Sequence, residues 1–459
     1  MMGRLRAWFG VPEWTNVLAL VDQAVYSGTN FLTTVLLGRL CGADELGAYS
    51  LAFALLALTA AAQEALVSTP YMIYAQRRRR AALRCYAGST LVQHAAIAAG
   101  ALVVFALGAS VFAAGLGPRN LAPMVAALAA VVPFVLLREF IRKIAFAHLD
   151  MGAATAMDVA IAVLQFTGLA GLAAAGRLSA VTGLAVVGLA WGAGGAIWLA
   201  RWRDRFLVRA KRVPLAARRN WRLGRWVFAS VTTFMLQSSL ILWMLALLLG
   251  TAASGLFAAC INVVALSNPF VNALVNVLTP RGARAFWQGG GAAVRRVVFR
   301  AARVAGALTG VFALVLCVAG EEVLQLLFGH KFFGTDNGDQ RMIIALLGIW
   351  GLARALGMMA YVGLFVVQRP SVNLWINLAT LVPLPFLLPI VTAAWGVPGA
   401  AAALLGLELV ALAARWAAFL AATRHTAVFP GVRQSPTQAG QGGQKALPAI
   451  STCSDGTLP

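Results

Sequence analysis

Twelve long apolar stretches divide this chain, and almost all of its basic residues fall in every second gap between them. Lipid offers no hydrogen bonds to a backbone, so each stretch must form a helix that satisfies its own amides. About 20 apolar residues suffice to cross a bilayer. The predicted spans are 16–37, 46–69, 88–114, 121–137, 153–175, 179–200, 226–249, 254–279, 304–328, 341–367, 371–393 and 397–422. The fourth is short, and its continuation into Arg138–Lys143 is left open. The expected fold class is an all-α polytopic membrane protein of about 12 transmembrane helices.

Charge orients these spans. The chain carries 37 Lys and Arg. With the N-terminus in the cytoplasm, four basic groups lie inside: Arg77 to Arg80 with Arg84; Arg138, Arg142 and Lys143; the run from Arg201 to Arg225; and the run from Arg281 to Arg303. The gaps on the other side hold only Arg39, Arg119, Arg177, Lys331 and Arg341, while Arg354 and Arg415 fall within spans. Short loops rich in Lys and Arg resist translocation, so both termini are expected in the cytoplasm.

Composition excludes other classes. A chain that is 61% hydrophobic and 11% charged is no ordinary soluble domain. Its longest internal hydrophilic gap, 201–225, is too short for a catalytic domain. No catalytic residue is expected. A net charge of +22 could suggest nucleic acid, but the basic residues flank membrane spans, so no nucleic-acid partner is expected. Trp202, Phe206 and Trp221 interleave with arginine in 201–225, as in a collar on anionic membrane lipids. Five scattered cysteines show no CxxC and no His at ligand spacing, so neither a disulfide framework nor a metal site is indicated. The first span contains Asp22, Gln23 and Asn30, which marks a retained span rather than a signal peptide.

The chain repeats itself weakly. Gly42-Ala-Asp-Glu-Leu-Gly47 precedes the second span and Gly250-Thr-Ala-Ala-Ser-Gly255 the eighth. Both are G-x4-G turns, and the segments they open end at Pro70 and Pro280 with basic stretches after them. Six spans per half give the halves the same orientation, a parallel repeat about an axis along the membrane normal. The expected organisation is a six-helix bundle over 1–200, a basic linker over 201–225, a second bundle over 226–422 and a disordered cytoplasmic tail over 423–459.

The run Asp22-Gln-Ala-Val-Tyr-Ser-Gly-Thr-Asn30-Phe, then Arg39, then Gly42-x4-Gly47-Ala-Tyr, resembles the opening of Wzx-type polysaccharide-biosynthesis flippases of the multidrug/oligosaccharidyl-lipid/polysaccharide (MOP) superfamily. Leu326-Leu-Phe-Gly-His-Lys-Phe332 resembles their motif after the ninth helix, and Gly396-Val-Pro-Gly399-Ala-Ala-Ala the turn into their twelfth. The resemblance implies two six-helix bundles in a V and a place in a bacterial cytoplasmic membrane. The activity it implies is alternating-access translocation of a lipid-linked oligosaccharide or polysaccharide precursor, alongside other polysaccharide-assembly proteins. The chain departs from some lipid-diphosphate flippases in lacking an Arg deep in spans one and two.

Charges in mid-bilayer cost about 2.5–3.5 kcal/mol on insertion scales, so each needs a reason. Arg354 and Glu408 share a depth near the midplane. They are either an ion pair stapling two helices or part of a cavity wall in which the guanidinium grips an anionic head group. Arg415, nearer the cytoplasmic end, is expected to snorkel. In the first half, Asp22, Glu64 and Asp158 lie at one level, roughly 9 Å inside the membrane at 1.5 Å per residue. They could couple transport to H⁺ or Na⁺, reach the cytoplasm, or pair with Arg142 and Lys143. Uncharged polar residues form a third set: Gln23, Ser27, Asn30, Gln237, Asn262, Asn268, Asn272 and Asn276. Asn268, Asn272 and Asn276 recur on one helix face. Amides there could bind sugar hydroxyls or tie helices together. Pro269 predicts a kink among them. The substrate-binding candidates are Arg354, Glu408, Gln23, Asn30, Gln237, Asn268 and Asn272. The ion-coupling candidates are Asp22, Glu64 and Asp158. Rival functions are a cation-coupled multidrug exporter of the same fold, a membrane glycan polymerase or glycosyltransferase, and a non-transporting assembly scaffold.

Overall fold

The computed structural model describes residues 13–75, 80–115, 122–148, 150–329, 337–367 and 369–424. Most of the expected tail therefore lies outside the described residues, as do Arg77 to Arg79, Arg119 and Lys331. The described chain is helical, with no strand. We number the helices α1 (Glu13–Cys41), α2 (Ala43–Ala75), α3 (Arg80–Ala113), α4 (Ala122–Ala147), α5 (Met151–Ala174), α6 (Ala180–Arg201), α7 (Val213–Leu249), α8 (Thr251–Phe286), α9 (Gln288–Phe328), α10 (Asn337–Val366), α11 (370–395) and α12 (397–424). Ten described helices are long and apolar enough to cross a membrane. The last of these runs 54 residues, Ser371–Arg424, and would be about 80 Å long if straight. It holds α11 and α12, broken at Gly396, whose φ of 58° only glycine adopts readily. With α1, which is not among those ten, the numbered helices match the twelve apolar stretches of the sequence.

Proline sets the irregular turns. Pro70 has no N–H to bond the Leu66 carbonyl, and α2 relaxes into a π-turn over Glu64–Ser68 just before it. Pro269 acts likewise on α8, where a 3-10 turn spans Ala265–Ser267 at the predicted kink. Asp150 caps α5 through the Ala153 amide at 3.2 Å, and Ser179 with Thr182 forms a capping box on α6.

Two boundaries differ from the sequence expectation. The fourth span does not stop at 137: α4 runs on through Arg138, Arg142 and Lys143 to Ala147. Arg138 and Arg142 are buried, so they belong to the bundle rather than to a loop. Their charges are matched by carboxylates on neighbouring helices, which no hydropathy pattern reports. The basic linker 201–225 is likewise no simple loop. It forms two 3-10 turns, Arg203–Arg205 and Ala210–Arg212, and then the first three turns of α7.

Within the first half, α4 packs against α3 and α6, and α5 against α1 and α6. In the second half, α10 packs against α9 and against 384–424. The halves meet where α2 lies along α8, and α7 reaches from α2 to α8. The repeat is visible in the backbone: Gly42 has φ 91° and Gly250 φ 93°, each opening a helix that carries the second glycine of its G-x4-G. Those second glycines touch reciprocally. A Cβ on Gly47 would sit 1.9 Å from the Thr251 carbonyl oxygen, and one on Gly255 2.0 Å from that of Ala43. No side chain fits at either point. Asp44 accepts a hydrogen bond from the Thr251 hydroxyl at 2.8 Å beside this contact. The arginine-poor ends of α2 and α8 are thus clamped backbone to backbone.

Candidate functional site

Two polar centres lie inside the molecule. The first is a network built on α4. Its residues Arg138, Glu139, Arg142 and Lys143 project toward α1, α2 and α5. Arg138 donates to Asp158 at 2.5 Å and to Glu139. Arg142 bridges two helices, donating through Nε to Asp158 at 3.0 Å and through Nη2 to Asp22. Lys143 donates to Glu64 in the π-turn of α2. Aromatic faces complete the enclosure. The Arg138 guanidinium lies 4.6 Å from the ring centres of both Tyr26 and Trp191, and that of Arg142 lies 4.7 Å from Tyr26. The Trp191 indole is fixed by donating to Gln165 at 3.0 Å, and Gln165 in turn donates to Thr33 at 2.7 Å. Three cations face four carboxylates here, an excess of one formal negative charge. The Asp22 Oδ1 atom is buried with no hydrogen-bond partner.

A cavity of about 220 Å³ opens beside this network, walled by Tyr26, Gln63, Glu64, Glu139, Lys143 and Trp191. Phe53, Ala57 and Met235 separate it from a larger one. That central cavity, about 620 Å³, lies between the halves. Its first wall comes from α1 and α2 with Asn30, Thr34, Tyr49, Ser50 and Phe53. Its second comes from α7, α8, α10 and α12 with Gln237, Asn262, Asn268, Asn272, Trp350, Arg354 and Glu408. It begins just beneath the Gly47–Gly255 clamp.

Glu408 is the one carboxylate on that wall among the described residues. It accepts from Arg415 at 2.9 Å, and Arg415 donates its other terminal nitrogen to Asn377 at 3.0 Å. The expectation for Arg415 is therefore corrected. It is 7% exposed and pairs inward rather than snorkelling, because Glu408 sits two turns away on the same helix face. Glu408 is bridged by Arg415, and Arg354 shares the cavity wall with it. The Arg354 guanidinium lies 5.0 Å from the Trp350 ring centre, and the Trp350 indole N–H is buried without a hydrogen-bond partner.

Six of the seven substrate-binding candidates meet at the central cavity: Asn30, Gln237, Asn268, Asn272, Arg354 and Glu408. Gln23 does not. It donates to Ser27 at 3.0 Å, one turn along α1, and lies outside the lining of both cavities. The Asn276 side chain lies outside the described residues. The three ion-coupling candidates do share one level, but each is held by a basic residue of α4. Asp22 and Asp158 are closed off by arginine, and only Glu64 reaches a cavity. Glu139, Arg138 and Trp350 were absent from the expected set. The i, i+1, i+4, i+5 spacing of charge in 138–143 was the available signal, since it places four charges on adjacent faces of one helix. Among the described residues no group of three metal-ligating side chains converges.

No protein-family model matches the chain, and no curated protein matches it in sequence. Solved structures do match in shape. An inward-facing multidrug resistance MATE family transporter of the MOP superfamily superposes with a TM-score of 0.74 at 13% identity, covering 88% of this chain and 96% of that one. An outward-facing MATE structure gives 0.63 at 13%, covering 89% and 95%. A MOP superfamily transporter from Pyrococcus furiosus, described as having a binding pocket of reverse polarity, gives 0.64 at 13%, covering 88% and 93%. Likeness over nearly the whole chain at such low identity establishes one thing, that this chain adopts the fold of MATE transporters of the MOP superfamily.

Proposed function

We propose that this protein moves an amphipathic solute across a membrane by alternating access. The solute is a lipid-linked oligosaccharide or polysaccharide precursor for cell-surface polysaccharide biosynthesis. The observation that carries this reading is the chemistry of the central cavity. Amides and hydroxyls on both walls offer the paired donors and acceptors that sugar hydroxyls need. Arg354 supplies a planar fork suited to a phosphate or carboxylate. Glu408, the carboxylate beside it, is already engaged by Arg415, so the wall is neutral to positive and disfavours a cationic guest.

In this reading the head group occupies the central cavity while the lipid tail remains in the bilayer. Parting the Gly47–Gly255 contact opens the cavity toward the other leaflet. Coupling to H⁺ or Na⁺ falls to Glu64 and Glu139. These two carboxylates line the smaller cavity, whereas Asp22 and Asp158 are sealed behind Arg142. With four carboxylates against three cations, one added proton or monovalent cation would neutralise the network.

Multidrug export is the second reading. It is favoured by the fold shared with MATE structures and by Tyr49, Phe53, Phe257 and Trp350 on the cavity wall. Vesicles reconstituted with the full chain separate the two. Glycolipid movement between leaflets above empty controls supports the flippase. Movement of cationic dyes with no glycolipid movement replaces it with the drug exporter.

A further inference from the structure

The basic run after α6 carries a feature that transport through the cavity does not use. From Leu207 to Arg225 there is no carboxylate, while Arg209, Lys211, Arg212, Arg218, Arg219, Arg222 and Arg225 supply positive charge. The first turns of α7 sort these residues cleanly by face. One face is docked on the first half. Asn220 is fully buried, accepting from the Tyr86 hydroxyl at 2.7 Å and donating to Gln93 at 2.9 Å. Gly224 lies against α2, where a Cβ would sit 2.6 Å from the Ala65 carbonyl oxygen. The 207 amide donates to the Arg84 carbonyl at 2.9 Å, anchoring the run at its start.

The opposite face points outward. Leu215 is 66% exposed, Trp221 54% and Val208 53%, with Arg209, Lys211, Arg212, Arg218 and Arg222 exposed around them. Large apolar side chains beside arginines, with no acid among them, suit one surface: apolar groups enter the acyl boundary while guanidiniums meet anionic head groups. An acidic protein patch would match the charge but would leave no reason for the exposed Leu215 and Trp221. The run also leads directly into the apolar 226–249 stretch of α7, which places it at the membrane boundary.

We propose that the outward face of 207–225 is a docking surface for anionic phospholipid head groups. Because its inner face grips α2 and α3, and because α7 continues to Met235, Gln237 and Ser239 on the cavity wall, bound lipid holds α7 against the first half. Anionic lipid is thereby a regulator of the cavity, acting from outside it.

Hydrogen exchange of the full chain in nanodiscs tests this. One set of discs is phosphatidylcholine alone, and the other is phosphatidylcholine mixed with an equal amount of phosphatidylglycerol. Amides of 207–225 are expected to exchange several-fold more slowly in the anionic discs, since each basic residue near such a surface contributes roughly a fivefold factor in binding. The slowing should vanish at about 1 M salt, where the screening length falls to ~3 Å. The Arg212→Gln/Arg218→Gln/Arg222→Gln variant should lose it while retaining the wild-type unfolding midpoint in phosphatidylcholine. A matched Arg295→Gln/Arg296→Gln/Arg300→Gln variant should keep it. Equal exchange in the two lipids would overturn the proposal, as would the same slowing in the first variant. If the first variant fails to fold, the salt dependence of the wild type still decides.

Discussion

Two buried charge groups, one in each half, show opposite design. On α4, Arg138 and Arg142 donate to Asp22, Glu139 and Asp158, with aromatic rings packed over their guanidiniums. In the second half, Arg415 neutralises Glu408, and Arg354 lies at the cavity wall beside an indole N–H with no hydrogen-bond partner. The first group sets four carboxylates against three cations and meets the smaller cavity through Glu64, Glu139 and Lys143. The second sets two guanidiniums against one carboxylate, next to a space large enough for a guest. The contrast separates buried charges held mainly by one another from a charge that also lies on the wall of the larger cavity.

The contrast breaks most sharply at Arg142. Arg142→Ala strips the cation from buried Asp22 and leaves Asp158 with Arg138 alone, and should cost about 3–5 kcal/mol of stability. Detergent unfolding and folded yield would register it. Combining it with Asp22→Asn and Asp158→Asn should recover much of that loss, and an unrecovered loss would mean the network does more than balance charge. Arg354→Ala should cost less stability than Arg142→Ala and act mainly on transport. Glycolipid movement in vesicles should fall by about tenfold to a hundredfold through loss of a charge-assisted contact. A loss of stability from Arg354→Ala as large as that from Arg142→Ala would make the two groups alike and erase the distinction.

A smaller effect tests the boundary between the halves. Gly255→Leu drives a side chain into the Ala43 carbonyl and should wedge α2 from α8. Labelling of Tyr49→Cys by an impermeant thiol reagent, in a background lacking native cysteines, should rise about fivefold or more from the arginine-poor side. The smallest effect concerns His148, just beyond α4, which contacts the Tyr71 hydroxyl at 3.1 Å. Partial burial, and then the nearby Arg205 charge, hold its pKa below the ordinary value. The folded state therefore prefers the neutral ring. Stability from this group is present above the unfolded pKa of about 6.5 and is lost as pH falls through that value and toward the lower folded one. His148→Gln should flatten the pH dependence of unfolding below about pH 6.5.

Much of the fold was legible because apolar length is a one-dimensional property. The helical segments, the G-x4-G repeat and the 3-10 turn before Pro269 all follow from local rules about backbone hydrogen bonds. The cavity residues were partly legible for a similar reason: a polar group in an apolar span must face something polar, and Asn30, Gln237, Asn268, Asn272, Arg354 and Glu408 do. Gln23 escaped the same reasoning because Ser27, one turn away, satisfies it locally. The end of the fourth span stayed open in the sequence because Arg138 and Arg142 look like loop residues until their carboxylates on α1 and α5 are in place.

By itself, then, the sequence determined that this chain is a many-spanned helical membrane protein and which of its polar residues fall within apolar spans. Only the tertiary structure decided pairing: Arg415 bridges Glu408, and α4 rather than the solvent answers Asp22, Glu64 and Asp158. The physical reason is range. Burial of a helix depends on its own residues, whereas the fate of a buried charge depends on atoms within a few ångströms that the chain brings in from far along its length.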